Sequence, residues 1–445
     1  MENKNGKKYI VGIDTGGTFT DVIVVDHEGT VTSAKSPSTP KNFSEGIING
    51  LREAAKALNI NEEELISNCE IINHGMTVAT NALINRKGAT TGLITTKGFE
   101  DIIFIMKARG KCLGLPEIEI KHQTRCKKPE PIVPKQFVKG VTERIDCFGN
   151  VIVPLNVDEV KAAAKHLVEN CGVDSLAVCL LWSLTNPCHE KEIQSIIAEM
   201  YPNIDVSISS DIVPLVGEYE RAVTTVFNAY LKPETKSYLK KLEDYFLKKK
   251  LRTSILIMQS HGGISTIRKA MDTPVFTIGS GPTGGVISSL IWGKELGYGN
   301  IVTTDVGGTS FDVSLIVNNE PIRTEEAVLN QYRLRLQMVN VISIGAGGGS
   351  VGWIDPAMNT LKVGPQSMGA DPGPACYDRG GTEATLVDSD LILGYLNTEY
   401  FLGGRMKLNK DNSMSAIKKL AGKLGMDAVE TARGMRKIAC SSMAD

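Results

Sequence analysis

The chain has 445 residues, long enough for two or three domains with complete cores. A formal net charge of −1, with 42% hydrophobic and 22% charged residues, is that of a globular protein with no basic field for nucleic acid or an anionic membrane surface. Nine cysteines, an odd number with no Cys-x-x-Cys pair, argue against a disulfide framework or structural zinc and for free thiols in a reducing cytoplasm, and no run approaches the roughly 20 apolar residues of a membrane span.

In chain order, Tyr9 to Lys35 predicts three short strands, and a helix follows over Phe43 to Leu58. A strand from Glu70 to His74, a helix over Val78 to Arg86 and a strand at Thr91 to Thr95 come next. Lys107 to Lys139, rich in Lys, Pro and Cys, has no period and predicts an irregular excursion. A helix from Val157 to Asn170, a buried strand at Ser175 to Leu181 and a helix from Pro187 to Met200 form an αβα unit. A long helix spans Gly217 to Lys250, with Pro233 predicting a kink or division. Glu218, Glu220 and Arg221 at its start suggest a solvated or interdomain ion-pair cluster. Ile255 to Met258 predicts a strand, a glycine turn follows at Gly262-Gly263, and a helix follows Gly284. This alternation implies α/β layers, with one domain over 8–205 and another over 206–445.

One pattern occurs twice, at a constant offset of 291 residues. Asp14-Thr15-Gly16-Gly17-Thr18 with Asp21 is matched by Asp305-Val306-Gly307-Gly308-Thr309 with Asp312. Each copy lies between short apolar runs and predicts strand, tight glycine turn, strand. Paired glycines permit positive φ and remove the Cβ atoms that would hold a ligand off, so backbone N–H groups can converge on an anion. The threonine adds a hydroxyl. An aspartate beside a phosphate is unfavourable unless a divalent cation lies between them, which points to Mg²⁺ or Mn²⁺ held largely through water by Asp14 and Asp305. Two such hairpins facing each other would clamp a nucleoside triphosphate.

The paired hairpins, with Gly281-Pro282-Thr283-Gly284-Gly285-Val286 ahead of the second, resemble the phosphate motifs of the actin, sugar kinase and Hsp70 superfamily. That resemblance implies duplicated ribonuclease H-like (actin-like ATPase) domains of α/β class, here with an inserted irregular segment. Longer strings resemble the hydantoinase A/5-oxoprolinase family, which includes N-methylhydantoinase A and acetone carboxylase β subunits. They are His74 to Leu83, Arg86 to Ala89, Leu93 to Phe99, Glu143 to Asp146, Asn186 to Glu190, Glu218 to Arg221, Asn228 to Pro233, Ile344 to Ser350 and Gly369 to Tyr377. They run nearly the whole length of the chain.

The family resemblance implies an ATP-dependent hydrolase of a cyclic amide such as a hydantoin or 5-oxoproline, in which phosphorylation activates the carbonyl. It also implies a hydantoinase B-type partner subunit in a homo- or hetero-oligomer. The alternatives are the ATP-using subunit of a ketone carboxylase and a truncated, non-catalytic nucleotide-binding module. Thr15, Gly16, Gly17, Thr18, Gly307, Gly308 and Thr309 are expected at the phosphates. Asp21 and Asp312 either bind metal or hold the hairpins through backbone N–H groups. His74 is either a structural residue or in contact with substrate or metal. Gly345, Gly347 and Gly348 are expected to line the ligand as a nest, with a tight turn as the alternative. Cys376 is expected to be buried and inert. Met76 and Phe104 to Lys107 depart from the family pattern, which leaves the substrate open. The chain also stops before a glycine-rich adenosine motif, so weak nucleotide binding and turnover are expected of it alone.

Overall fold

The computed structural model describes residues 8–16, 19–39, 43–115, 117–122, 124, 126–356, 358–369, 371–404 and 406–444. They divide into two compact units, each discontinuous in sequence. Unit 1 holds residues 1–70, 281–322 and 339–445, and unit 2 holds 71–280 and 323–338.

The elements that matter here are, in chain order, β1 (Tyr9–Thr15), β2 (Phe19–Asp26), β3 (Val31–Pro37), α1 (Phe43–Ala57), β4 (Cys69–Met76), α2 (Val78–Ile84), β5 (Thr91–Thr96), β6 (Val138–Val141), α3 (Val157–Lys165), β7 (Ser175–Cys179), α4 (Cys188–Met200), β8 (Asp205–Ile208) and α5 (Glu218–Lys248). They continue with β9 (Ile255–Met258), β10 (Ile264–Thr266), α6 (Ser280–Leu296), β11 (Ile301–Val306), β12 (Phe311–Val317), β13 (Val341–Ile344), β14 (Ser350–Asp355), β15 (Thr360–Ser367), α7 (Leu386–Ile392), α8 (Lys410–Leu424) and α9 (Ala428–Ala444).

In unit 1, β1, β2 and β3 form an antiparallel meander whose alternating pattern puts Val11, Ile13, Val22 and Val24 in the core. Helix α1 packs on this face through Ile47, Leu51, Ala54 and Ala55. Gly50 makes that close approach possible, because a Cβ there would lie 2.7 Å from Val22 Cγ2. The second hairpin, β11 with β12, is extended by β13 on the far side of β12. A separate small core under β14 and β15 is filled by Ile417 and Leu420 of α8 and by Ala432 and Met435 of α9.

In unit 2, β8, β7, β5 and β6 form a parallel sheet in that order. All of β7 and β5 is buried, as expected of strands covered on both faces. Strand β9 pairs with β4 in parallel and with β10 antiparallel. Helix α5 runs unbroken for 31 residues with Pro233 inside it, so the division predicted at that proline does not occur. Pro233 has no N–H to donate. One turn earlier the Tyr230 carbonyl accepts the N–H of Ala89 at 2.9 Å from outside the helix. Among the described residues between β5 and β6 the chain is irregular apart from short helical turns at Ile102–Ile105, Met106–Ala108, Glu117–Ile120 and Lys135–Phe137, as the composition predicts.

Candidate active site

Both copies of the repeated pattern lie in unit 1, and they fold alike. Asp14 stands directly opposite Asp21 across the first hairpin, and Asp305 opposite Asp312 across the second. The turns also correspond: Gly16 N–H donates to the Phe19 carbonyl and Gly307 N–H to the Ser310 carbonyl, each at 2.9 Å. Like charges directly opposite on antiparallel strands destabilise a sheet, so a carboxylate pair repeated at one register calls for something that offsets the cost.

The electrostatics of Asp14 show that cost. Asp14 keeps exposed surface, yet its carboxyl is crowded by surrounding protein. Desolvation first, then the charges of Asp21 and Asp305, push its pKa up to about 6, with only Lys35 opposing. Asp305 therefore lies close enough to act on Asp14, and the two hairpins share one electrostatic site. Asp312 is likewise raised, by desolvation and by Asp305.

The distal aspartates have different partners. Asp21 forms an ion pair with Lys35 of β3, with Nζ 2.9 and 3.0 Å from its two oxygens. Asp312 accepts a hydrogen bond from Ser343 of β13. Among the described residues neither holds a backbone N–H, and each instead pairs with a side chain of the next strand.

The loop at Gly307–Thr309 is held from behind. Gly348 N–H donates to the Gly307 carbonyl at 3.0 Å and Gly349 N–H to the Gly308 carbonyl at 2.6 Å. In a planar trans peptide the C=O and the following N–H point in opposite directions. Fixing those two carbonyls therefore turns the N–H groups of Gly308 and Thr309 away from the supporting loop, and neither is hydrogen-bonded among the described residues. These are the donors an anion would meet.

The nest expected over Gly345 to Ser350 is not formed. Ala346 N–H goes to the Ile344 carbonyl and Gly347 N–H to Ser350 Oγ, while Gly348 and Gly349 serve the phosphate-type loop. Gly347 is required by contact, since a Cβ there would stand 2.6 Å from backbone atoms of Thr309. The segment is a buttress, and its glycines allow one backbone to lie on another.

Two further expectations change, and one falls outside the described residues. Thr15 is wholly buried, so its side chain cannot reach a phosphate. Gly17 and Thr18 lie outside the described residues. His74 belongs to unit 2, where it is 0% exposed with Nε2 2.7 Å from Tyr238 Oη, a buried imidazole held in the core rather than a group open to substrate. Cys376 is buried and its thiol is pushed far up by burial and by Asp388, which fits its expected inertness.

Sequence reasoning missed Ser38, whose hydroxyl donates to the Gly16 carbonyl at 2.8 Å and packs on Thr20, and also Lys35 and Ser343. It also missed Asp388, a buried carboxylate that accepts from the N–H groups of Ala375, Cys376 and Thr385 and from the hydroxyls of Thr385 and Ser413. Only Asp388 carried a local signal, since Thr385 three residues earlier makes a capping box with it.

The residues present fit a divalent cation bound through water and phosphate. Asp14 and Asp305 supply negative charge that Lys35 offsets only in part at Asp14, while no group of three or more ligating His, Cys, Asp or Glu side chains forms a protein-only cage among the described residues.

An α/β protein with paired Asp-x-Gly-Gly-Thr-like hairpins sharing one carboxylate site has the architecture of the actin-like ATPases. The comparisons make this specific: the hydantoinase/oxoprolinase N-terminal region matches residues 10–201 and the hydantoinase/oxoprolinase domain matches 221–445, and the chain belongs to that family. It is 38% identical to the acetophenone carboxylase gamma subunit of Aromatoleum aromaticum, over 98% of this chain and 60% of that one. It is 35% identical to caprolactamase subunit alpha of Pseudomonas jessenii, over 98% of this chain and 62% of that one. A nucleotide-free structure of acetone carboxylase superposes with a TM-score of 0.88 at 32% identity, covering 98% of this chain and 62% of the other. The chain thus spans about three fifths of the length of these relatives. No helix among the described residues is long and apolar enough to cross a membrane.

Proposed function

We propose that the chain is the ATP-using part of an enzyme that activates a carbonyl by phosphoryl transfer, with a cyclic amide as substrate. The observation that carries this reading is the register-matched pair Asp14 and Asp305 in one unit, with the Asp14 pKa pushed to about 6 by desolvation first and then by the charges of Asp21 and Asp305, which a bound cation would offset. Asp14 and Asp305 would hold Mg²⁺ or Mn²⁺, and the bound ion would screen the charge of the phosphates. Gly308 and Thr309 would donate their N–H groups to a phosphate oxygen, and Gly16 and Gly307 would hold the two turns in shape. Phosphoryl transfer needs chiefly positioning and charge stabilisation, and those are what this site offers.

The chemistry balances as follows. The amide oxygen attacks the γ-phosphorus of ATP, an O–P bond forms and ADP leaves. Water adds to the activated carbon, the ring C–N bond breaks with the nitrogen protonated, and a second water releases phosphate from the resulting acyl phosphate. A lactam, ATP and two waters become an amino acid, ADP and phosphate.

The similarity to the acetophenone carboxylase gamma subunit and to acetone carboxylase favours a second reading, in which the same site activates a ketone or bicarbonate for carboxylation. Release of ADP separates the two. The chain, alone and mixed with a hydantoinase B-type subunit, is given Mg²⁺-ATP with hydantoin, 5-oxoproline or caprolactam, or with acetone or acetophenone plus bicarbonate. Stimulation by a cyclic amide supports the hydrolase, and stimulation only by ketone with bicarbonate supports the carboxylase. ADP release unaffected by every substrate contradicts both.

A further inference from the structure

Unit 2 contains a recess of about 340 Å³ at the N-terminus of α5, lined by Met106, Lys107, Arg109, Leu113, Tyr219 and Arg333. Its volume is within the range of small-ligand sites. Four independent features converge on it.

The first is charge. Lys107 is neutralised by Glu220, with Nζ 2.6 and 2.8 Å from the two oxygens, and Arg333 shares Glu326 with Arg335. Arg109 has no acidic partner among the described residues. The recess therefore has room for one negative charge.

The second is an unsatisfied donor. Tyr219 is 2% exposed, and its buried hydroxyl, near the backbone of Arg333, meets no partner with hydrogen-bond geometry. A buried hydroxyl without a partner is unfavourable unless a ligand completes it. The third is the helix terminus, where the first N–H groups of a 31-residue helix favour an anion. The fourth is backbone strain. Met106, Lys107 and Ala108 are three successive non-glycine residues with positive φ, at 54°, 49° and 60°. Such strain concentrates at ligand-binding segments. Of the solvated or interdomain ion-pair cluster suggested by sequence at this helix start, Glu218 is exposed, whereas Glu220 and Arg221 are 3% and 1% exposed and Glu220 is the ion-pair partner of Lys107.

We propose that this recess binds a planar monoanionic carboxylate group, that of an organic acid or of bicarbonate. The planar fork of a guanidinium pairs well with a carboxylate, and one uncompensated cation suits a monoanion better than a multiply charged phosphate. In this arrangement Arg109 and Arg333 grip the oxygens and Tyr219 Oη donates the third hydrogen bond.

The test is calorimetric titration of the nucleotide-free chain at constant ionic strength with acetate, bicarbonate, phosphate, 5-oxoproline and its uncharged counterpart 2-pyrrolidinone. At least one carboxylate or bicarbonate should saturate, phosphate should bind more weakly, and 2-pyrrolidinone should give no heat. The stronger of 5-oxoproline and bicarbonate identifies the source of the group. Arg109→Gln and Arg333→Gln should each raise Kd at least ten-fold, Tyr219→Phe should raise it several-fold, and the exposed Lys419→Gln should not change it. The proposal is overturned if no anion saturates, if 2-pyrrolidinone binds as well as 5-oxoproline, if phosphate binds most tightly, or if the folded arginine variants bind as wild type. Arg109 is exposed, so its variant folds and keeps the test decisive. No nucleotide is used, so the outcome is separate from that of the ADP assay.

Discussion

Val11 and Val302 occupy the same position in the two hairpins of unit 1, yet Val11 is fully buried and Val302 is 64% exposed. The contrast extends along both copies. The first hairpin has α1 across its inner face, whereas on the second Val306, Leu315 and Ile342 stay exposed and Val286 and Leu290 of α6 pack with Ile301 and Ile316 instead. The distal carboxylates differ too, one facing a lysine and the other a serine. So do the supports of the loops, a serine hydroxyl behind Gly16 and a second glycine loop behind Gly307 and Gly308. What stays constant is the opposed aspartate pair and the glycine turn. Features that persist through different packing are the ones that packing does not require, and this is the physical reason to assign them to a ligand.

The largest expected effect breaks the support of the second loop. Gly347→Ala places a Cβ against the Thr309 backbone, where neither side can move without distorting the loop, and should cost about 3 kcal/mol in denaturant unfolding. At the second loop's own Gly307 an added Cβ has 3.6 Å to its nearest neighbour, so Gly307→Ala should cost far less. Equal losses would remove the buttress argument.

The next effect measures the packing contrast directly. Val11→Ala should destabilise by about 2 kcal/mol, as expected of a truncated core side chain. Val302→Ala should stay within about 0.5 kcal/mol, as for a surface substitution. A comparable cost at Val302 would show that its face is covered in solution.

The smallest effect is one of sign. The Asp14 pKa is raised from its ordinary 3.8 to about 6, so folding favours the protonated form, and the folded state loses stability as pH rises through that window. Above pH 6 the penalty is complete and below 3.8 it is absent. Asp14→Asn should therefore stabilise the ligand-free chain at pH 7.5 by about 1 kcal/mol, after reduction for solvent screening, and leave it unchanged below pH 4. Thermal melts across pH check this, and a destabilised variant at pH 7.5 would mean that Asp14 is a structural residue.

The hairpins were legible because their chemistry is local: a strand, two glycines and an aspartate at fixed spacing show themselves in a few residues, and the repeat removes chance. The α/β class and the irregular segment before Lys139 were legible from periodicity. The partners were not. Lys35 and Ser343 reach Asp21 and Asp312 only because the next strand is in register, and Ser38 reaches Gly16 only through the same meander. Pairing across strands is set by tertiary structure and leaves no mark on spacing. Thr15 was misjudged for a related reason: strand alternation continues through the motif and turns its side chain inward. His74 and the glycine loop at Gly345 looked chemical by residue type, but burial gave one to the core and hydrogen bonding gave the other to its neighbour.

The central claim is that both hairpins serve one metal–nucleotide site, and a thermal-shift titration with Mg²⁺-ATP tests it most directly. At one hundred times Kd a ligand of the native state adds about 2.7 kcal/mol, a shift easily resolved. The account predicts a Mg²⁺-dependent rise in Tm for the wild-type chain that is lost in Asp14→Asn and also in Asp305→Asn. A rise that survives either substitution, or one that does not need the metal, would contradict it.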